Sequence, residues 1–477
     1  MSPALQFLWR HDRLIYMTCE NRKESDNNNM NNDNQRLATE PVRGLLLKLA
    51  FPAITAQIVN VLYNMVDRMF IGHIEGAGAD ALTGVGVAMP VVVAMTAFAA
   101  LAGMGGAPRA AIMMGRKKLD DAEKILGNCF SLLIITAVLL TAVVRVFGEP
   151  ILMMFGASDN TIGYALNYLD IYCLGTIFVL LSIGLNAFIS TQGYAATSML
   201  TVIIGAVINI VLDPVFIFVL GMGVRGAALV TVMSQGISAI WVLKFLTSKK
   251  PVLKIKLKNM RIRPKVILPC IALGLSPFIM QFTESVITVC FNVSLLKYGG
   301  DLAVGAMTIL TTVMQFAMLP VQGLTQGAQP IISYNYGAQN YERIRQTFSM
   351  LLKFSLGYTV TMWVICMFLP KFFIMAFTSH QELIDYSVHA IRIYMASMLL
   401  FGIQIACQQT FIALGNAKTS IFLALLRKVI LLIPLIFILP VFMQDKASAV
   451  FLAEPIADFC AVMTTSILFY RAYKKLK

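Results

Sequence analysis

Apolar residues occur in long blocks along the chain, and short polar segments rich in glycine separate the blocks. From Leu45 onward the sequence contains twelve blocks of roughly 20 or more mostly apolar residues. A helix rises about 1.5 Å per residue and a hydrocarbon core is about 30 Å thick, so each block can cross a bilayer. The predicted spans, numbered 1 to 12 in chain order, are 45–71, 81–106, 123–147, 164–190, 196–220, 225–246, 266–296, 302–330, 344–370, 386–413, 419–443 and 448–470. The pattern predicts an all-α membrane protein with twelve transmembrane helices.

The two halves of the chain repeat the same signals at a shift of about 222 residues. The matching pairs are Ala107-Pro108 with Gln329-Pro330, Gly115 with Gly337, Tyr172 with Tyr394, and Gly193 with Gly415. Each half has six spans, an even number, so both halves run in the same sense. Such halves form two six-helix bundles related by a pseudo-two-fold axis along the membrane normal. This arrangement is typical of transporters that open alternately to the two sides of a membrane.

The repeat divides the chain at a charged segment. We expect a first six-helix bundle over 41–247, a basic cytoplasmic linker over 248–265 and a second six-helix bundle over 266–477. Residues 1–40 are rich in asparagine and mixed charge and hold little that could pack, which predicts a disordered cytoplasmic tail.

Composition excludes a soluble enzyme, because 58% of the 477 residues are hydrophobic and only 13% are charged. Soluble proteins have about 45–50% apolar and about 25% charged residues. The net charge of +14 does not indicate nucleic-acid binding, since nine Lys and Arg and no acid lie between Lys244 and Lys265. Basic loops mark the cytoplasmic face. Both termini are therefore predicted to be cytoplasmic in a multi-pass protein of the inner (cytoplasmic) cell membrane.

Catalytic and metal-binding patterns are missing from the sequence. The eight cysteines are scattered without a CxxC pair, and the four histidines form no HExxH pattern. No GxxxxGK[ST] segment is present to bind ATP. We expect no enzyme activity and no cofactor, and we expect a monomer in the lipid bilayer.

Polar side chains form one stripe on span 1 and another on span 7. Polar residues inside a bilayer are costly and usually face a bundle interior or a water-filled cavity. The spacings of three and four residues place each set on one helix face. The stripes, which we predict to line a substrate cavity, are Gln57, Asn60, Asn64 and Asp67 on span 1 and Gln281, Glu284, Thr288 and Asn292 on span 7.

A second group of polar residues reaches the depth of Asp67. Span 5 carries Asn209 and Asp213 one turn apart, and span 6 carries Thr231. At 1.5 Å per residue, Asp67, Asp213 and Thr231 lie at a similar level in the outer third of the first bundle. These side chains could share a proton between two carboxylates or bind Na⁺ with Asn and Thr oxygens. The sequence thus leaves two alternatives at Asp67, Asn209, Asp213 and Thr231, a protonated carboxylate pair or a Na⁺ site.

Charged residues in spans 11 and 12 indicate a structural ion pair. Arg427 and Lys428 lie at mid-depth in span 11, where Asp458 of span 12 could meet Arg427. Glu454 shares a helix face with Asp458. We predict a neutralising Arg427–Asp458 pair here.

Five sequence motifs resemble those of the MATE (multidrug and toxic compound extrusion) family over about residues 44–472. The motifs are Leu49-Ala50-x-Pro52 with Val66-Asp67-x-x-Phe70-x-Gly72 in span 1, Asn209-x-x-x-Asp213-Pro214-x-Phe216-Ile217-Phe218 in span 5, and the loop segments Met114-Gly115-Arg116 and Tyr336-Gly337-Ala338.

The resemblance implies export of cationic amphipathic compounds in exchange for H⁺ or Na⁺. It implies a coupling site similar to Asp67, Asn209, Asp213 and Thr231. Asn186 of span 4 matches a neighbouring polar position, and we include it in the predicted substrate cavity. Glu284 resembles a carboxylate of another branch of the family. That branch also has an Asp on span 10, where this chain offers Gln404 and Gln408, which we include in the predicted cavity.

Two other transporter classes remain open from the sequence. A major-facilitator transporter has the same span count, but its usual GxxxDRxGRR loop differs from Gly115-Arg116-Lys117-Lys118 here. A related flippase of lipid-linked precursors would be expected to have fourteen spans and a more cationic cavity.

Overall fold

The computed structural model describes residues 36–74, 78–378 and 380–475, and this part of the chain is helical without any strand. The helices are Val42–Gly72, Gly78–Gly115, Leu119–Met154, Ile162–Leu174, Thr176–Thr191, Ala195–Pro214, Val224–Thr247, Pro264–Gly337, Tyr341–Phe368, Pro370–Ile374, Gln381–Tyr394, Met398–Ala413, Ala417–Leu425, Ile433–Phe442 and Lys446–Lys474. Two π-helical segments, Val215–Val219 and Leu426–Leu432, continue spans 5 and 11, and a short 3₁₀ helix, Leu257–Asn259, lies in the linker.

The predicted twelve spans are confirmed. Within the described residues nine helices are long and apolar enough to cross a membrane, and one of them, Pro264–Gly337, has 74 residues. Gly300 has non-helical dihedral angles (φ 65°, ψ −164°) that divide this helix into spans 7 and 8. Spans 4 and 10 are each a pair of shorter helices, bent by 59° and 48° at the junction.

Backbone irregularities recur at the repeat distance, which confirms the internal repeat in three dimensions. Span 4 breaks at Gly175 and span 10 breaks at residues 395–397. Lys117 and Gln339, which are 222 positions apart in the sequence, both have left-handed backbone angles, with φ 61° and 59°. The two halves therefore share their bends and loop conformations as well as their span count.

Three hydrophobic cores show how the bundles meet. A joint core contains residues of both halves, such as Leu46, Leu126, Ile331 and Phe411, and lies at the end of the molecule that carries the linker. At the opposite end each bundle has a core of its own, drawn from residues 71–228 in the first half and 287–457 in the second. The bundles thus close against each other at the linker end and part at the other.

Glycine permits the close approach at the linker end. A Cβ on Gly274 would lie 1.9 Å from the carbonyl oxygen of Leu101, and one on Gly337 would lie 2.0 Å from that of Ile112. Any larger residue at these positions would push span 7 or span 8 away from span 2. Nearer to the open end, the ring of Phe98 in span 2 packs edge to face on that of Phe278 in span 7, with ring centroids 4.9 Å apart.

The basic linker is ordered and packs against the first bundle. The Leu253 N–H donates to Gln192 Oε1 (2.7 Å), and the Arg263 N–H donates to Asn128 Oδ1 (2.7 Å). Asn128 Nδ2 in turn donates to the Asn259 carbonyl oxygen (3.1 Å). These buried amides fix the segment that connects the two halves.

Residues 1–40 were predicted to be disordered, but the last five of them, 36–40, are ordered. Residues 1–35 lie outside the described part of the chain, but Leu37 is buried with 2% of its surface exposed. The Leu37 carbonyl oxygen accepts from Asn335 Nδ2 (3.0 Å) and from Arg343 Nη2 (3.1 Å), and the Glu40 carbonyl also accepts from Arg343 (2.8 Å). Residues 36–40 therefore attach to the second half, because one apolar side chain and two carbonyl groups find partners there.

Candidate functional site

The structure brings the four predicted coupling residues together inside the first bundle. Asn209 Nδ2 lies 3.5 Å from Asp213 Oδ1 and 3.5 Å from Thr231 Oγ1. The carboxyl group of Asp67 lies beside that of Asp213, close enough for the two groups to interact electrostatically. Spans 1, 5 and 6 thus meet at one point, as the depth calculation from the sequence predicts.

Local backbone structure helps to place Asp213. The next residue, Pro214, has no N–H to continue the helical hydrogen-bond ladder. The chain continues as the π-helical segment Val215–Val219. Short π-helical segments are frequent at functional sites because they rotate the following side chains relative to an α-helix.

The site is buried and holds oxygens without partners. Asp67, Asn209 and Asp213 have 6%, 1% and 0% of their surface exposed. Asp67 Oδ1, Asn209 Oδ1 and Asp213 Oδ2 accept no hydrogen bond. Neither carboxylate forms an ion pair within the described ranges. Because a buried unpaired carboxylate is costly, this arrangement favours the uptake of a proton or a cation.

The donor set restricts which ion the site could bind. The part of the chain that the structure describes has no group of three or more His, Cys, Asp or Glu side chains able to hold a metal ion. A cation between Asp67 and Asp213 would therefore also need the oxygens of Asn209 and Thr231. Neutral oxygens together with carboxylates suit hard cations, whereas transition metals favour nitrogen and sulfur ligands.

Tyrosines surround this site, and the sequence analysis did not identify them. Tyr168 lies close to Thr231, and its ring stacks on that of Tyr172 with centroids 6.1 Å apart. Tyr63, one turn before Asp67, lies close to Gln235. The signal for Tyr63 was its spacing of four residues from Asp67, which places both on one face of span 1.

The polar stripes of spans 1 and 7 lie in the open half of the molecule. Asn60, Asn64, Gln281 and Thr288 are exposed, as is Asn292, and Gln57 is half-buried. Their position beyond the joint core is compatible with the predicted cavity between the bundles.

Three other predicted cavity residues lie deeper in the protein. Asn186 is half-buried and donates to the Ser198 carbonyl oxygen (3.2 Å), nearer to the linker end than Asn209. Gln404 and Gln408 are buried and bond to each other (Nε2 to Oε1, 3.2 Å). Gln408 Nε2 also contacts Met280 Sδ (3.1 Å), so both glutamines pack against span 7 behind the cavity surface.

Five charged residues form an ionic cluster in the second bundle. Arg427 Nε binds Asp458 Oδ1 at 2.5 Å, which confirms the predicted pair, and Arg427 Nη2 binds Glu454 Oε1 at 3.2 Å. Lys428 Nζ lies 3.0 Å from Glu284 Oε2 and 3.9 Å from Glu454 Oε1. The Lys428–Glu284 bridge was not predicted, and it links the buried cluster to the polar stripe of span 7.

A small cleft opens beside this cluster. It has a volume of about 150 Å³ and is lined by Glu284, Ile287, Thr288, Phe291, Asn292, Met307, Thr308, Thr311, Tyr394 and Glu454. Two carboxylates, several hydroxyl groups and two aromatic rings therefore border one space.

Comparison with known proteins gives consistent results for both halves. A family model described as MatE matches residues 52–215 and 277–438. The multidrug export protein MepA of Staphylococcus haemolyticus is 24% identical over 395 residues, which cover 83% of this chain and 86% of that protein.

Solved structures have the same fold over nearly the whole chain. An outward-facing multidrug resistance MATE family transporter of the MOP superfamily is 22% identical, with a TM-score of 0.86 over 93% of this chain and 98% of that one. A chain named protein A is 34% identical, with a TM-score of 0.85 over 92% of this chain and 97% of that one. Twelve helices in two bundles are thus common to this chain and its structural relatives.

Proposed function

The chain belongs to the MatE family, and we propose that it is an antiporter that exports cationic amphipathic compounds in exchange for H⁺ or Na⁺. Proteins of this family are transporters and not enzymes, so the chain is a multi-pass membrane transporter. The major-facilitator class is excluded by this membership. The coupling ion, the cationic substrates and the role in multidrug efflux and antibiotic resistance are parts of the proposal.

One observation carries the coupling mechanism: Asp67 and Asp213 are buried side by side, and neither forms an ion pair among the described residues. Two carboxylates in contact repel each other unless a proton or a cation lies between them. Binding of an ion from outside would neutralise the pair and change the packing of span 1 against spans 5 and 6. Antiport then requires only that ion and substrate bind to mutually exclusive states of the two-bundle equilibrium.

The shape of the molecule supports a direction for transport. The bundles close at the end that carries the basic linker and part at the other end. We place the linker and both termini in the cytoplasm, since basic loops face the cytoplasm in membrane proteins. In this orientation the cavity is open to the outside, the state in which a substrate leaves and a coupling ion enters.

The chemistry of the cavity supports cationic substrates more than anionic ones. Arg427 and Lys428 are both paired with carboxylates and leave no free positive charge in the second bundle's ionic cluster. A flippase for phosphorylated lipid-linked precursors would need cationic groups free to bind phosphate, which disfavours that alternative. Relatives named for multidrug export lead us to propose substrates of varied structure, which methionines such as Met280 and Met307 could accommodate.

The test is efflux by the purified protein in vesicles. Vesicles loaded with a fluorescent cationic dye would receive a pH gradient or a Na⁺ gradient, each imposed separately. We expect one of the two gradients to drive dye movement and protein-free vesicles to show none. Equal dye movement with and without protein under both gradients would refute the proposed antiport.

A further inference from the structure

Lys428 reaches the substrate cavity from behind, through Glu284. The lysine side chain is buried, with 7% of its surface exposed, whereas that of Glu284 is 56% exposed. The ammonium group lies 3.0 Å from Glu284 Oε2 on the protein side. One side of the Glu284 carboxylate therefore faces the cavity, and the Lys428 ammonium group occupies the other side.

The π-helical segment Leu426–Leu432 makes this possible. Consecutive residues on an α-helix point about 100° apart, so two neighbouring basic residues would rarely both face one interior. Here Arg427 and Lys428 are both buried, with 7% and 5% of their surface exposed. Arg427 pairs with Asp458 and Glu454, and Lys428 forms the ion pair with Glu284.

The charges of the cluster do not balance. Three carboxylates, Glu284, Glu454 and Asp458, face two basic side chains, Arg427 and Lys428. One negative charge is left over when all five groups are ionised. Surplus charge in a medium of low dielectric constant attracts a counter-charge strongly.

The adjacent cleft can admit such a counter-charge. Its volume of about 150 Å³ lies below the roughly 300–1,000 Å³ of pockets that enclose a whole drug-sized molecule. It could hold an ammonium or amidinium head group, with Glu284 and Glu454 as anions. The rings of Phe291 and Tyr394 also line it and offer faces that stabilise a cation.

We propose that Lys428 is a tethered competitor for the cationic head group of the substrate at Glu284. Without substrate the lysine neutralises Glu284. A substrate head group in the cleft displaces the ammonium group, which moves towards Glu454, now 3.9 Å away. Lys428 thereby sets the affinity for cations and keeps inorganic cations from Glu284. This inference rests on the proposed export of cationic compounds and names the residues that select them.

The first test is equilibrium binding of decylammonium, a monovalent amphipathic cation with a small ammonium head group, to the purified full-length protein without any ion gradient. Lys428→Met removes the competing ammonium group. The affinity of this variant for the organic cation should be about tenfold or more above that of the unaltered protein, in which the nearby like charge opposes binding. In Lys428→Met, Na⁺ should compete with the organic cation for the cleft, whereas in the unaltered protein it should not. Lys428→Arg, which keeps the charge, is the matched control and should show no such gain.

A second variant keeps the test decisive if Lys428→Met does not fold. Glu284→Gln leaves Lys428 its contact with Glu454. The variant should lower the affinity for decylammonium about tenfold or more, because the anion that faces the cleft is gone. Binding of a neutral amphiphile should not change in this variant. The double variant Lys428→Met/Glu284→Gln should lose the gain of the single lysine variant.

Some results would overturn the proposal. If folded Lys428→Met or Glu284→Gln binds the organic cation with unchanged affinity, the Lys428–Glu284 bridge has only a structural role. The same conclusion follows if the double variant keeps the higher affinity of Lys428→Met. In those cases the coupling site at Asp67 and Asp213 would be unaffected. Absence of cation binding to every form of the protein would overturn the proposed function together with this inference.

Discussion

Asp67 and Asp213 meet inside the first bundle, where each has one oxygen without a hydrogen-bond partner. The sequence was sufficient to predict this contact, because depth along a helix follows from residue count. It did not reveal Tyr63 and Tyr168 around the pair, since tyrosine inside an apolar span usually only fills a core. Nor did it reveal the Lys428–Glu284 bridge, because a π-helical segment changes which side chains point inward.

We predict that Asp67→Asn and Asp213→Asn each insert into membranes but lose gradient-driven efflux. Either change leaves an amide in place of the second carboxylate, so the ion no longer switches the charge of the site. Dye efflux should fall to that of protein-free vesicles. Asp170→Asn is the matched control, since Asp170 is half exposed and pairs with Arg145. If Asp67→Asn and Asp213→Asn both keep wild-type gradient-driven efflux while Glu284→Gln loses it, the coupling site lies in the second half and not at Asp67 and Asp213.

The Arg427–Asp458 pair should contribute strongly to stability. Removing the arginine, as in Arg427→Met, leaves the buried carboxylates of Asp458 and Glu454 without this partner and should cost about 3–5 kcal/mol of unfolding free energy. Asp458→Asn should cost less, because Arg427 keeps its ion pair with Glu454. The double variant should recover part of this loss. Thermal unfolding of the detergent-solubilised protein would measure the effect.

An exposed ion pair provides the comparison for this prediction. Arg145 and Asp170 lie 2.8 Å apart with 48% and 50% of their side chains exposed, so removing either should reduce stability far less than removing Arg427. Equal losses for the buried and the exposed pair would contradict a structural role for the Arg427–Asp458 contact.

Among the helices, the apolar blocks located the spans but not their irregularities. The bends of spans 4 and 10 occur inside continuous apolar segments, so hydropathy carries no signal for them. The linker was predicted only as a basic cytoplasmic segment, with no contacts assigned to it. It packs on the first bundle, because Asn128 and Gln192 form hydrogen bonds with its backbone. Specific polar contacts of this kind do not follow from a count of charges.

Glycine at the contact of spans 2 and 7 should control closure of the linker end. Gly274→Val places side-chain atoms against the Leu101 carbonyl oxygen and should hold the two bundles apart there. Cys129 and Cys270, both fully buried in the closed state, should then react with a small maleimide. Gly357→Val is the matched control, because nothing lies within 4 Å of a Cβ at Gly357. Equal labelling of the two variants would show that this contact does not gate the linker end.

The whole molecule has one joint core and two separate cores, and this division determines which contacts must break during transport. If the bundles move as rigid bodies, the core of each half persists while the joint core opens. The orientation of this movement in the membrane can be tested with single cysteines in a variant without native cysteines. Lys258→Cys lies in an exposed part of the linker, and Asn160→Cys lies in the exposed loop between spans 3 and 4.

We predict that a membrane-impermeant maleimide added to intact cells labels Asn160→Cys and leaves Lys258→Cys unlabelled. Labelling should reverse in inside-out vesicles, because a basic linker is retained in the cytoplasm. Permeabilised cells, in which both positions should react, provide the control for access. If Lys258→Cys reacts in intact cells, the cavity described here opens to the cytoplasm. A coupling ion entering from outside would then meet the closed end of the molecule, and the direction of exchange would have to be reversed.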